Sequence, residues 1–280
     1  MLEIPESRTI SLQAGKTLTG QRITEVFNAT SPHKFAFFYG DPAGYAEILK
    51  GRQVKSAKGH GMFVDICCDE GTVITIGEGT NMRYYLPSEQ PPEKYQLLIV
   101  FDDDSFVAFN VAMYGGIWAY KGIFDNKYHQ ISLYSVSPLD DKFDELFFEG
   151  ILGNSPKDIS AKALLTTEQR IPGMGNGVLQ DILFNAGIHP KRKKSTLTNK
   201  EKGELFHSLK STLKNMADQG GRDTEKDFFG NSGGYKTILS KNTVKNPCPK
   251  CGNLIVKEAY LGGAVYYCST CQKLQNVNRN

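Results

Sequence analysis

Four cysteines carry the clearest chemistry in this sequence. Cys248-x2-Cys251 is followed, sixteen residues on, by Cys268-x2-Cys271. Each pair supplies two thiolates from one tight turn, and four thiolates suit a tetrahedral Zn2+ with no open position, which makes the expected role structural. Gly252 lets the chain fold back around the ion, and Gly262-Gly263 joins two short strands. Cys67 and Cys68 follow the apolar run 62–66 and read as strand residues, at least one of them buried, with no chemical role.

A second stretch with chemical potential is Ile171-Pro172-Gly173-Met174-Gly175-Asn176-Gly177. Helical patterns flank it at 158–170 and 178–187. A helix start carries unpaired N–H groups and partial positive charge, so it suits a phosphate. A plain helical hairpin is the alternative reading of this stretch alone. Further on, Lys191-Arg192-Lys193-Lys194 is either a solvated loop or a nucleic-acid contact.

These groups need elements to hold them. The chain has 280 residues, enough for two domains or slightly more, and 40% apolar residues. No apolar run approaches a membrane span. The first residues show no basic start followed by an apolar stretch, so the expected compartment is the cytoplasm. Net charge is +3, unevenly spread: residues 1–139 hold 12 Lys/Arg and 15 Asp/Glu, residues 140–280 hold 21 and 15. Attraction for a polyanion therefore belongs to the second half.

Residues 4–14 predict a helix that Gly15 ends. From about 20 to 135, short β-branched and aromatic runs separated by turn residues predict an antiparallel sandwich or barrel, with 102–104 as a hairpin turn. After 137 the apolar spacing becomes three and four, which predicts a helical domain. Residues 220–246 are glycine-rich and polar and read as a linker. The fold class is α+β multidomain: an N-terminal antiparallel β-sandwich over 1–136, a helical domain over 137–240 and a four-cysteine finger over 241–280.

Together these pieces resemble the formamidopyrimidine-DNA glycosylase / endonuclease VIII family of base-excision repair proteins. The resemblance rests on Glu3-x-Pro5-Glu6, on residues 171–190 (IPGMGNGVLQDILFNAGIHP), on Gly220-Gly221 with Asp227-Phe228, and on the cysteine hairpin ending Tyr267-Cys268-x2-Cys271-Gln272. It implies a monomeric enzyme that binds damaged double-stranded DNA, flips the lesion out of the stack and excises the base, with or without cleavage at the abasic site. It also implies a helix-two-turn-helix domain and a structural Zn2+. A catalytically silent binder of damaged or abasic DNA is the alternative.

The resemblance assigns catalysis to Glu3 and Glu6. The family's nucleophilic proline falls at Leu2, so the remaining candidate amine is the α-amine of Met1. Asn176, with Gly175, matches the family's phosphate-binding asparagine. His60 stands where the family has a lysine, and Ala264-Val265 stand where a zinc-finger arginine is expected. Met113 and Tyr114 are candidates to fill the gap left by a flipped base; the alternative is a strand-end pair packed in the sandwich. For Glu3 the alternative is a charge partner of the helix start. Lys191 and Arg192 complete the DNA-binding set.

Overall fold

The computed structural model describes residues 2–274. The chain forms two compact units, one of residues 1–134 with 219–234 and one of residues 135–218 with 235–280.

The first unit opens with α1 (Ile4–Leu18), and Pro5 sits in its first turn, where a missing N–H is harmless. The helix runs past Gly15, the expected end. Nothing at Gly15 demands a left-handed backbone, and a Cβ there would only touch Ala57 at 3.6 Å. Gly20, at φ +95, is the residue that turns the chain.

The strands are β1 (Ile23–Asn28), β2 (Ala36–Phe37), β3 (Val54–His60), β4 (Phe63–Cys68), β5 (Thr72–Ile76), β6 (Thr80–Tyr85), β7 (Leu97–Phe101), β8 (Phe106–Val111) and β9 (Gly115–Lys121). They make a four-stranded antiparallel sheet, β1-β7-β8-β6, and a five-stranded sheet, β2-β9-β5-β4-β3, in which only β2 and β9 run parallel. A single core joins inward residues of both sheets, among them Val64, Ile74, Ile99, Val107 and Phe109, with Leu2, Ile10 and Ala14 from the helical side. Two short helices, α2 (Tyr45–Leu49) and α3 (Lys127–Tyr134), interrupt the strand pattern. Cys67 and Cys68 end β4, and Cys68 is buried.

The second unit contains α4 (Glu145–Asn154), α5 (Ala161–Thr166), α6 (Asn176–Asn185), α7 (Asn199–Asp218) and the hairpin β10 (Val256–Tyr260)–β11 (Gly263–Tyr267). The helix expected over 158–170 is shorter because Glu168 and Gln169 take positive φ. The next one starts at Asn176, two residues early, with Gly175 as its N-cap.

Residues 220–246 are not a linker. Phe228 is fully buried in the first core. Asp227 accepts from Phe229 N, Asn231 N and Gln13 Nε2. In the second unit, Asp181 accepts from the backbone N–H groups of Ile238 and Leu239 at 2.9 and 2.8 Å. Glycine and polar residues here make tight, hydrogen-bonded turns, which composition alone does not separate from a flexible segment.

Candidate nucleic-acid and catalytic sites

The start of α1 holds two buried carboxylates. Glu3 is the N-cap residue, yet its side chain makes no capping hydrogen bond. It faces the guanidinium of Arg222, with Oε2 3.4 Å from Nη1. Glu6 meets the same guanidinium: its oxygens accept from Arg222 Nε at 2.9 Å, Nη2 at 2.8 Å and the backbone N at 3.1 Å. Arg222 is only 2% exposed. Burial alone lowers a guanidinium's proton affinity, but Glu3 and Glu6 together override it and hold Arg222 well above its ordinary range.

Arg222 reaches this place because Gly221 takes φ +96 and passes close to Glu6. A Cβ on Gly233 would stand 2.2 Å from Gly221's backbone. The triad is one sequence reading did not assemble; its only linear sign is an arginine directly after Gly-Gly.

Leu2 lies in the apolar core. Met1, assigned as a candidate amine, lies outside the described residues. A cavity of about 290 Å3 adjoins α1, lined by Leu2, Glu6, Asn81, Arg83, Asn110 and Asp227 among others. That is the lower end of the range for small-ligand pockets.

His60 is turned inward. Its Nε2 lies 2.9 Å from Asp65 Oδ2, which accepts the hydrogen bond, and its side chain is 11% exposed. The buried carboxylate on β4 captures the imidazole, so His60, expected as either a phosphate contact or a turn residue, faces inward at the end of β3. The turn is drawn against α1, where Ser7 Oγ donates to Gly61 O at 2.8 Å and Gly59 leaves no room for a Cβ against Ser7 O.

Met113 and Tyr114 cap the β8–β9 turn and are 70% and 40% exposed, so the packed strand-end alternative does not hold. Tyr114 hydrogen-bonds Glu78, whose carboxyl is pushed up by burial in the facing β5–β6 turn.

In the second unit, Asn176 opens α6 and its Nδ2 donates to Ala264 O at 2.7 Å, across to the cysteine hairpin. Its Oδ1 is buried without a partner among the described residues. Gln180 Nε2 shares the Ala264 carbonyl at 3.1 Å. Beside them lies Lys162 of α5, 3% exposed, donating from Nζ to Tyr260 O at 2.7 Å. No carboxylate pairs with it among the described residues, and desolvation lowers its proton affinity. A buried ammonium facing only a neutral carbonyl is an unbalanced charge. A Cβ on Gly263 would lie 3.4 Å from Asn176 Nδ2 and 3.5 Å from Lys162 Nζ, so both side chains meet at this turn. The sequence sign for Lys162 is a lysine on the apolar face of SAKALL.

The basic cluster is a correction. Arg192 is 3% exposed and bonds Thr196 and Glu201. Lys191 pairs with Glu258, and Lys193 and Lys194 donate to backbone oxygens of Asp158, Leu152 and Ser155. These cations stitch the 190–197 loop to its neighbours, because capped carbonyls and carboxylates lie nearer than solvent.

The four hairpin cysteines converge. Cys248 Sγ and Cys271 Sγ are 3.8 Å apart, Cys251 Sγ and Cys268 Sγ 3.5 Å, and all four lie within 4.8 Å of one another. Tetrahedral Zn–S bonds of about 2.3 Å imply S···S separations near 3.8 Å, so the donor set fits such an ion.

Known proteins resemble this chain in domain, in sequence and in fold. Residues 135–227 match the H2TH domain of formamidopyrimidine-DNA glycosylase. The chain is 28% identical over 280 residues to the formamidopyrimidine-DNA glycosylase of Hydrogenovibrio crunogenus, covering 98% of this chain and 97% of that one. It is 27% identical over 288 residues to that of Pelotomaculum thermopropionicum, covering 98% and 100%. Among solved structures, the MutM (Fpg) protein of Thermus thermophilus superposes with a TM-score of 0.80 at 21% identity, over 98% of this chain and 100% of that one. Lactococcus lactis Fpg, in complex with DNA containing an abasic site, gives 0.79 at 20%, over 97% and 99%.

Proposed function

We propose that the chain, similar over nearly its whole length to formamidopyrimidine-DNA glycosylases, is a member of the formamidopyrimidine-DNA glycosylase / endonuclease VIII family that binds damaged double-stranded DNA and hydrolyses the N-glycosyl bond of the lesion. The observation that carries this reading is the pair of buried carboxylates that one guanidinium holds at the start of α1. Glu6 accepts three hydrogen bonds from Arg222, whereas Oε2 of Glu3 meets the guanidinium at 3.4 Å. Glu6 is the positioning residue. Glu3 is the catalytic carboxylate, which takes a proton from water or steadies charge on the opening sugar. Removal of the base needs the target outside the stack. Met113 and Tyr114, exposed at one turn, are the side chains that fill the gap it leaves.

DNA is held through phosphates at the positive start of α6, where Asn176 stands, and the unbalanced charge of buried Lys162 adds attraction from beneath the surface. Lys162 stands in for the absent finger arginine as a single cation rather than a bidentate fork. Cys248, Cys251, Cys268 and Cys271 hold a structural Zn2+ that fixes the β10–β11 turn against Asn176 and supplies no chemistry to the reaction. No helix of the described residues is long and apolar enough to cross a membrane; the protein works on DNA in the cytoplasm as a monomer.

Leu2 contributes no free amine within the chain, so base release without strand cleavage is the expected product. Duplexes carrying oxidised bases and an abasic site test this, with borohydride added to trap any Schiff base. Released base with an intact abasic strand supports the hydrolytic reading. A covalent adduct mapped to the terminal amine assigns lyase activity instead. Tight binding of abasic DNA with neither product leaves a silent binder and overturns the enzyme.

A further inference from the structure

Three side chains of the first unit converge away from the Glu3–Arg222–Glu6 triad: His60 at the end of β3, Asp65 within β4 and His129 in α3. Asn126 Oδ1 caps the start of α3 by accepting from the backbone N of Tyr128 and His129, which fixes where His129 points. His60 Nε2 lies 2.9 Å from Asp65 Oδ2, and His129 Nε2 lies 3.1 Å from each Asp65 oxygen. One ligand atom from each residue falls within 4.8 Å of the others. Asp65 and His129 are buried, and Phe63 and Phe124 pack against the His129 ring.

We propose that His60, Asp65 and His129 form a second metal site, taking a divalent first-row transition ion. One buried carboxylate needs one imidazole to balance it, and here two bring the same nitrogen to it. Two imidazoles and a carboxylate are a donor set for Fe2+, Co2+, Ni2+ and Zn2+. With bonds of about 2.0–2.2 Å, ligands at right angles stand roughly 2.8–3.1 Å apart, which matches the observed 2.9 and 3.1 Å. The carboxylate is already oriented: Thr75 Oγ1 donates to Asp65 Oδ1 at 2.6 Å and lies 3.0 Å from the Tyr120 hydroxyl. Entry is through the His60 edge, the most open of the three.

Each imidazole already turns Nε2 toward the point where an ion would sit, so binding there leaves any ring hydrogen on Nδ1. Both Nδ1 atoms are buried without partners among the described residues. That incomplete outer shell lowers affinity about 10- to 100-fold below a site with its imidazoles anchored, so loading tracks ion availability.

The test titrates Ni2+ into the full chain with its cysteine site loaded with zinc, by calorimetry and elemental analysis. One nickel per chain is expected, with zinc content unchanged and no thiolate-to-nickel charge-transfer band. Asp65→Asn and His129→Phe should each weaken nickel binding at least 10-fold while retaining zinc. Asp65→Asn keeps the side-chain volume and carries the comparison if His129→Phe disturbs folding; His60→Gln is the third variant. Absence of nickel binding, equal binding in wild type and variants, or nickel gained only as zinc is lost overturns the proposal.

Discussion

Arg222 illustrates how one buried residue decides what its neighbours can do. It offsets two carboxylates that could not otherwise be buried together, and removing it strands both. Arg222→Met should therefore cost about 3–5 kcal/mol of stability in urea unfolding. Adding Glu6→Gln to it should recover much of that loss, because the stranded charge goes too. Glu3→Gln should behave differently: a small change in stability, but base release reduced about 100-fold or more. Lys162 allows a second separation. Its Lys162→Met variant should lower the slope of log affinity against log salt by about 1, at unchanged preference among lesions. Desolvation lowers the proton affinity of Lys162, so it discharges at a lower pH than surface lysines. DNA affinity should thus fall as pH rises through the window just below ordinary lysine titration. Lys162→Met should be flat there, and a wild-type profile as flat as the variant's would remove Lys162 from the phosphate contacts.

At the scale of elements, turns carry the function and strands hold it up. Met113 and Tyr114 expose apolar surface at a hairpin tip with little packing to lose. Met113→Ala and Tyr114→Ala should change stability by no more than about 0.5 kcal/mol. Each should weaken binding to a lesion duplex more than to an intact one; equal weakening would mean backbone contact only. The β10–β11 turn is strained: Leu261 and Gly262 take φ +47 and +74, as a two-residue turn requires, and Leu261 is exposed. Leu261→Asn should raise stability by about 1 kcal/mol in thermal melts, since asparagine tolerates this backbone. Much of this scaffold was legible. Alternation and turn residues marked the strands, apolar spacing marked the helices after 137, and cysteine spacing marked the four converging thiols. What stayed illegible depends on long-range pairing. Arg222 lies 216 positions from Glu6 and His129 lies 64 from Asp65. The lysines of 191–194 look like a binding patch until the carbonyls beside them are seen. Asp227 and Phe228 look like linker until Gln13 and the core claim them.

Over the whole molecule, charge and metal divide the labour. The first unit holds 14 Lys/Arg against 18 Asp/Glu, net −4, and the second holds 19 against 12, net +7. Long-range attraction for DNA thus resides in the second unit, while the buried carboxylates reside in the first. The cysteine hairpin has polar ties to Asn176, Gln180, Lys162 and Lys191 but little apolar packing. Its apolar support is a small cluster of Phe184, Leu239, Ile255 and Tyr266 around Cys248 and Cys268. A two-stranded hairpin of that size is marginal in water without a further constraint. An ion bound by the four converging thiolates would be folding free energy for residues 248–271. Stripping the ion with a chelator should speed amide exchange across β10 and β11 and free the Ala264 and Tyr260 carbonyls from Asn176 and Lys162. DNA affinity should then drop at least 10-fold, because the phosphate contacts lose their frame. Exchange in the β-sheets of the first unit should stay slow, since its core contains none of the four hairpin cysteines. Retained affinity with a fully exchanged hairpin would place the DNA contacts elsewhere; loss of protection in both units together would make the metal a support for the whole fold.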